Sequence, residues 1–135
     1  QIIGRVRVAK KRIFVADDQE EVLSLLKDFL TGEGFEVMVS KESKNVLRLI
    51  RSFKPNLILL DLLMPDLGGF DVCEILNNEP QTRGIPIIVI SGLSAPEDIK
   101  KSYRLGVVDY LVKPFSLPDM LAKINKAICN KETPF

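Results

Sequence analysis

Pro55-Asn56-Leu57-Ile58-Leu59-Leu60-Asp61 is the stretch on which the fold turns. Four consecutive apolar residues follow a Pro-Asn break and close on a carboxylate. The run is far short of the ~20 residues a membrane helix needs. At this length it reads as a strand buried on both faces, the kind found inside parallel sheets. Ile87 to Ile90, closing on Ser91, repeats the form, and so does Ile13 to Ala16, closing on Asp17 and Asp18.

Between these runs the pattern switches to a helical period. Val22, Leu25, Leu26, Phe29 and Leu30 share one helix face, which Gly32 and Gly34 end. Phe35, Val37 and Val39 alternate with Glu36, Met38 and Ser40, a strand with one more polar face and so an edge strand. Val46, Leu49, Ile50 and Phe53 restore the helical spacing. A turn from Met64 to Gly69 leads into a helix carrying Phe70, Val72, Cys73, Ile75 and Leu76, and Pro80 to Gly84 form a loop. Ser94 and Glu97 read as a capping box opening a helix that ends near Leu105 and Gly106. Tyr110 to Val112 is the last strand. Ser116 then caps a helix whose Leu117, Met120, Leu121, Ile124 and Ile128 share a face. Five strands alternating with five helices, (βα)5, predict an α/β fold with an open, doubly wound five-stranded parallel sheet; five units are too few to close a barrel.

Composition narrows the function. The 135 residues suit one domain, and 46% hydrophobic with 27% charged residues is a globular balance. The formal charge of +1 gives no strong pull towards nucleic acid or membrane. The absence of His excludes Ser-His and Cys-His catalysis, His-ligated zinc and a phosphohistidine carried by this chain. Cys73 and Cys129 are too few and too far apart for a disulfide framework, which suits a reducing, cytoplasmic setting. No secretory segment opens the chain, and Gln1 reads as the start of a trimmed segment. Residues 1–12 hold five basic side chains and no acid, while the remaining 123 carry 14 basic and 18 acidic ones, a net of −4. Residues 1–10 therefore read as a basic arm or linker whose Ile2, Val6 and Val8 are able to pair as an extra strand. Residues 11–130 read as the folded domain and 131–135 as a tail.

The polar residues closing the strands converge. Asp17 and Asp18 follow the first strand, Asp61 the third and Ser91 the fourth, and Lys113 lies just past the fifth, so all project at one edge of the sheet. In open α/β sheets this carboxyl edge is where ligands bind. Two carboxylates about 4 Å apart repel by roughly 4 kcal/mol at an effective dielectric near 20. Such a cluster calls for a cation, and oxygen ligands without His or Cys favour Mg²⁺. Each residue has a duller reading alone: Asp17 with Glu20, or Asp18 with Glu21, as a helix cap, Asp61 as a loop acid, Ser91 as a turn residue, Lys113 as a solvated lysine. Their coincidence at four strand ends favours a site.

Four segments carry a resemblance: Val15-Ala16-Asp17-Asp18-Gln19, Leu60-Asp61 through Gly69, Ile90-Ser91-Gly92 and Tyr110-Leu111-Val112-Lys113-Pro114-Phe115. In this order and register they resemble the receiver domains of two-component response regulators, over about Lys11 to Asn130. The resemblance implies the flavodoxin-like strand order 2-1-3-4-5. It implies Asp61 as phosphoacceptor from a sensor histidine kinase or histidine phosphotransfer protein. Mg²⁺ would be held by Asp18, Asp61 and the Leu63 backbone carbonyl, with Asp17 acting mainly through water. Lys113 would pair with Asp61 and then with a phosphoryl oxygen, and Ser91 would donate to another. A cis Lys113–Pro114 peptide is implied, as is a switch in which Ser91 and Tyr110 move together and alter the helix 4–strand 5–helix 5 surface. That surface would control an output partner or domain and offers a route to a homodimer. The domain itself would be a signalling module that catalyses only its own phosphorylation and dephosphorylation, without direct nucleic-acid contact or membrane insertion.

Three rivals are weighed. A phosphorylation-independent docking or dimerisation module would share the fold, but has no use for the complete set Asp18, Asp61, Ser91 and Lys113. A haloacid-dehalogenase-like phosphatase wants an Asp two residues after Asp61, where Leu63 stands. A flavodoxin-like flavin carrier needs a hydroxyl- and Gly-rich phosphate loop, whereas Asp17-Asp18-Gln19-Glu20 repels phosphate.

Overall fold

The computed structural model describes residues 2–3, 6–7, 9–66 and 68–132. Strands β1 (Arg12–Ala16), β2 (Glu36–Ser40), β3 (Leu57–Asp61), β4 (Ile87–Ser91) and β5 (Asp109–Val112) form one parallel sheet. Its spatial order is β2-β1-β3-β4-β5, the expected 2-1-3-4-5. The crossovers are α1 (Glu20–Gly32), α2 (Val46–Phe53), α3 (Gly69–Asn78) and α4 (Pro96–Arg104), with α5 (Leu117–Glu132) closing the domain.

The period of two along each strand builds two cores, one per sheet face. Phe14, Ala16, Ile58, Leu60, Val89 and Tyr110 pack with Val46, Ile50, Val72, Cys73 and Leu76, the inward residues of α2 and α3. Ile13, Val15, Leu57, Leu59, Ile88, Ile90 and Leu111 turn the other way, onto Leu23, Leu26 and Leu30 of α1 and Met120 and Ile124 of α5. Burying one such side chain contributes ~1.5–3 kcal/mol. The three apolar runs read in the sequence are the three interior strands β1, β3 and β4, of which β3 and β4 are buried at every position.

Several local expectations need correction. In α1 the buried stripe runs through Leu23, Leu26 and Leu30, and Leu25 is 54% exposed. Leu23 and Leu25 sit about 160° apart around a helix, on opposite shoulders of the stripe, so only the rotation against the sheet decides between them. At α4 no side chain caps the first turn: Ala95 is the N-cap and Pro96 follows it. Proline suits this first helical position, because its fixed φ is set for the helix and the N–H it lacks would have no partner there. β2 is an edge strand as expected, and its polar face is exposed at Glu36 but covered towards its carboxyl end. Ser40 is buried, with its hydroxyl donating to the Glu42 carbonyl at 3.2 Å, and Met38 packs into the α2–α3 core. In the arm, Ile2–Ile3 pairs antiparallel with Val6–Arg7 rather than joining the sheet, and Val8 lies outside the described residues. α5 runs through Glu132, into the segment read as a tail.

Other features match their expectation. Ser116 caps α5 by accepting from the Asp119 N–H at 3.1 Å. Gly106, at φ 95°, takes the left-handed turn that ends α4. Cys73 and Cys129 are free; burial pushes the Cys73 thiol up to about 12. Among the described residues no helix is long and apolar enough to cross a membrane.

Candidate functional site

Four of the five strand ends meet at the carboxyl edge of the sheet. The register pairs Ala16 with Leu60, Asp61 with Ile90 and Ser91 with Val112, so the residues that close β1, β3, β4 and β5 are neighbours. Asp17, Asp18 and Asp61 each bring a carboxylate oxygen within 4.8 Å of the others. Asp17 is fully buried and Asp61 is 3% exposed, while Asp18 stands at the exposed rim.

Lys113 reaches this cluster from beyond β5, across a cis peptide bond to Pro114. Its Nζ donates to Asp17 Oδ2 at 2.7 Å, to Gln19 Oε1 at 3.0 Å and to Asp61 Oδ2 at 3.1 Å. The second oxygens of the two buried acids accept from the backbone. Asp17 Oδ1 takes the Gln19 N–H and Asp61 Oδ1 the Leu63 N–H, both at 2.9 Å. Burial pushes the Asp17 carboxyl above its ordinary 3.8. The Lys113 hydrogen bond and the Gln19 N–H oppose that rise without cancelling it, and the Asp61 charge adds to it. Desolvation works against the Lys113 ammonium, but its bonds to Asp17 and Asp61 outweigh it and hold the lysine above its ordinary 10.5.

The single-residue explanations fare unevenly. The N-cap of α1 is Gln19, and no side chain caps that helix, so neither Asp17 nor Asp18 serves as a cap. Lys113 is engaged by two acids rather than solvated. Ser91 is fully buried, and its hydroxyl accepts from the Leu93 N–H at 3.1 Å, a turn bond. Tyr110 is packed inward from β5, and its hydroxyl donates to the Leu93 carbonyl at 2.7 Å. Leu93 thus joins the predicted switch pair through its backbone. Burial lifts the Tyr110 phenol above its ordinary range; the Ser91 hydroxyl opposes this, and Asp98 and Asp61 reinforce it.

Gln19 and Leu93 are the residues that sequence reasoning left without a role. Neither carries a charge, and Leu93 acts through backbone atoms that no side-chain pattern reports. Three carboxylates without nitrogen or sulfur ligands fit a hard divalent cation, and Lys113 neutralises the buried pair in part.

Comparison with known proteins agrees with this geometry. Residues 13–125 match the response regulator receiver domain family. The chain is 31% identical over 123 residues to the DNA-binding response regulator MtrA of Mycolicibacterium smegmatis, covering 91% of this chain and 53% of the relative. It is 34% identical over 129 residues to a probable transcriptional regulator, ycf27, of Cyanophora paradoxa, covering 96% and 53%. The chain thus spans about half the length of these relatives. A CheY-like response regulator receiver domain protein of Methanospirillum hungatei superposes with a TM-score of 0.86 at 29% identity, over 92% of this chain and 98% of that one.

Proposed function

The chain belongs to the response regulator receiver domain family, and from that premise we propose that Asp61 is the acceptor of a phosphoryl group in a two-component signalling switch. One observation carries the reading: a single ammonium, Lys113 Nζ, bridges the two buried carboxylates of Asp17 and Asp61 at the sheet edge, with the Asp18 carboxylate beside them. Asp61 is anchored through one oxygen by the Leu63 N–H. It attacks the phosphorus of a phosphohistidine on a sensor kinase or phosphotransfer protein. The phosphorus–nitrogen bond breaks, its electron pair stays with the imidazole, and an aspartyl phosphate forms.

Asp17, Asp18, Asp61 and the Leu63 backbone carbonyl are the groups that would hold Mg²⁺. The ion, when bound, supplies charge neutralisation for the clustered carboxylates and the arriving phosphoryl oxygens. Lys113 contributes the compact cation that accompanies a phosphoryl oxygen after transfer. The Ser91 hydroxyl donates to another once it leaves the Leu93 N–H. Tyr110 is then the switch residue, since its hydroxyl is tied to the same Leu93 backbone. The phosphoryl charge biases the α4–β5–α5 surface through contacts that differ between two states. In this reading the receiver is a cytoplasmic unit over residues 11–130, turns over no external substrate, and leaves nucleic-acid contact to an output domain or partner. The same surface serves a homodimer.

Incubation of the protein with Mg²⁺ and acetyl phosphate, followed by intact-mass measurement, tests the assignment. The wild-type chain is expected to gain one phosphoryl group and Asp61→Asn none. A wild-type chain that stays unmodified, or a gain that survives in Asp61→Asn, returns the domain to a phosphorylation-independent docking module.

A further inference from the structure

Gln19 occupies a place in the site that the phosphoacceptor chemistry does not use. It is the N-cap of α1; its carbonyl accepts from the Leu23 N–H at 3.1 Å, and its own N–H donates to Asp17 Oδ1. Its backbone is therefore tied both to the helix and to the buried acid. From this fixed point the side-chain Oε1 reaches Lys113 Nζ at 3.0 Å. Lysine offers three donors and no acceptor, so chemistry requires the amide oxygen, not the nitrogen, to face it. All three donors are then engaged, by Asp17, Gln19 and Asp61.

The three partners are not equivalent. Asp17 holds the closest contact and is fully buried, so it draws the ammonium inward. Asp61 is the group whose charge changes when it is modified. Gln19 is neutral, stands outside the carboxylate cluster, and is exposed. A neutral acceptor on the solvent side fixes the end of a flexible four-carbon stem without adding a fourth negative charge to a site that already holds three. We infer that Gln19 is a positioning residue for phosphoryl acceptance: it holds Lys113 Nζ in line with Asp61 and keeps it from collapsing onto Asp17. This role rests on Asp61 being the phosphoacceptor.

The test compares wild type, Gln19→Met and Gln19→Glu in the full chain. Methionine keeps the length and removes the acceptor; glutamate keeps an acceptor. In the metal-free protein the ¹H–¹⁵N signal of the Lys113 ammonium is expected to be sharp in wild type, broadened in Gln19→Met and retained in Gln19→Glu. With acetyl phosphate and Mg²⁺, Gln19→Met is expected to lower the maximal rate of phosphoryl uptake about three- to tenfold, the effect of one lost hydrogen bond. The donor concentration at half-maximal rate and the urea midpoint should stay unchanged. An unaltered ammonium signal or an unaltered maximal rate overturns the inference, and so does a rate loss explained by a lowered urea midpoint. A wild type that takes up no phosphoryl group instead brings down the Asp61 reading, while the ammonium signal still decides the Gln19–Lys113 contact.

Discussion

Lys113 decides the electrostatics of the site at the level of single atoms. Its ammonium stands between a fully buried Asp17 and a nearly buried Asp61, so removing it leaves two acids facing each other without their shared counter-charge, held only by backbone N–H groups. Breaking a buried ion pair by deleting one member costs about 3–5 kcal/mol, and the partial exposure of this lysine puts Lys113→Ala at the lower end. Urea unfolding in metal-free buffer at neutral pH measures the loss. Linkage gives the pH dependence its sign. Lys113 is held above 10.5, so its contribution is complete below 10.5 and declines as pH rises through its folded value. Asp17 is held above 3.8, so the folded chain takes up its proton earlier than the unfolded one. Wild-type stability from this group therefore improves as pH falls through the folded value towards 3.8. The improvement should be larger in Lys113→Ala, where the counter-charge is gone. An alkaline stability decline of the same size in Lys113→Ala as in wild type would contradict the assignment.

Elements matter through the faces they bury and the loops they anchor. In α1, Leu26→Ala removes a fully buried side chain and is expected to cost about 2–5 kcal/mol. Leu25→Ala, on the exposed shoulder, is expected to stay within about 0.5 kcal/mol of wild type. Equal losses in urea unfolding would mean that the helix is rotated from the orientation described. At the start of α3, Gly69 lies against the loop that follows Asp61. A Cβ there would meet the Leu62 Cα at 2.6 Å and its carbonyl oxygen at 2.7 Å, backbone atoms that cannot swing aside. Gly69→Ala is expected to cost about 1–3 kcal/mol as overpacking. It should also slow phosphoryl uptake, because Leu62 neighbours the acceptor. A variant with native stability and native uptake would show that this loop has slack.

For the whole molecule, the site gathers charge that no single element tolerates, so an ion that binds only the folded site raises global stability. At a hundred times its Kd, a ligand of this kind adds about 2.7 kcal/mol. Mg²⁺ is accordingly expected to raise the thermal midpoint of wild type, and Asp18→Ala, which removes the rim carboxylate, to lose most of that increase. Calorimetric titration of both proteins provides the affinity, and equal affinity would count against Asp18 as a ligand.

By itself the sequence determined the kind and order of the five sheet strands and five helices, because apolar runs and helical periods are local signals. It also determined which polar residues close the strands, since those sit directly after the runs. Only the tertiary structure decided which shoulder of α1 is buried, that β2 is covered at Ser40 but exposed at Glu36, and that Gln19 and the Leu93 backbone belong to the site. It also decided how Lys113 divides its donors between acids 96 and 52 positions away. Helix rotation, edge coverage and an ammonium shared among three acceptors are set by how whole elements pack, and pattern along the chain carries no record of that.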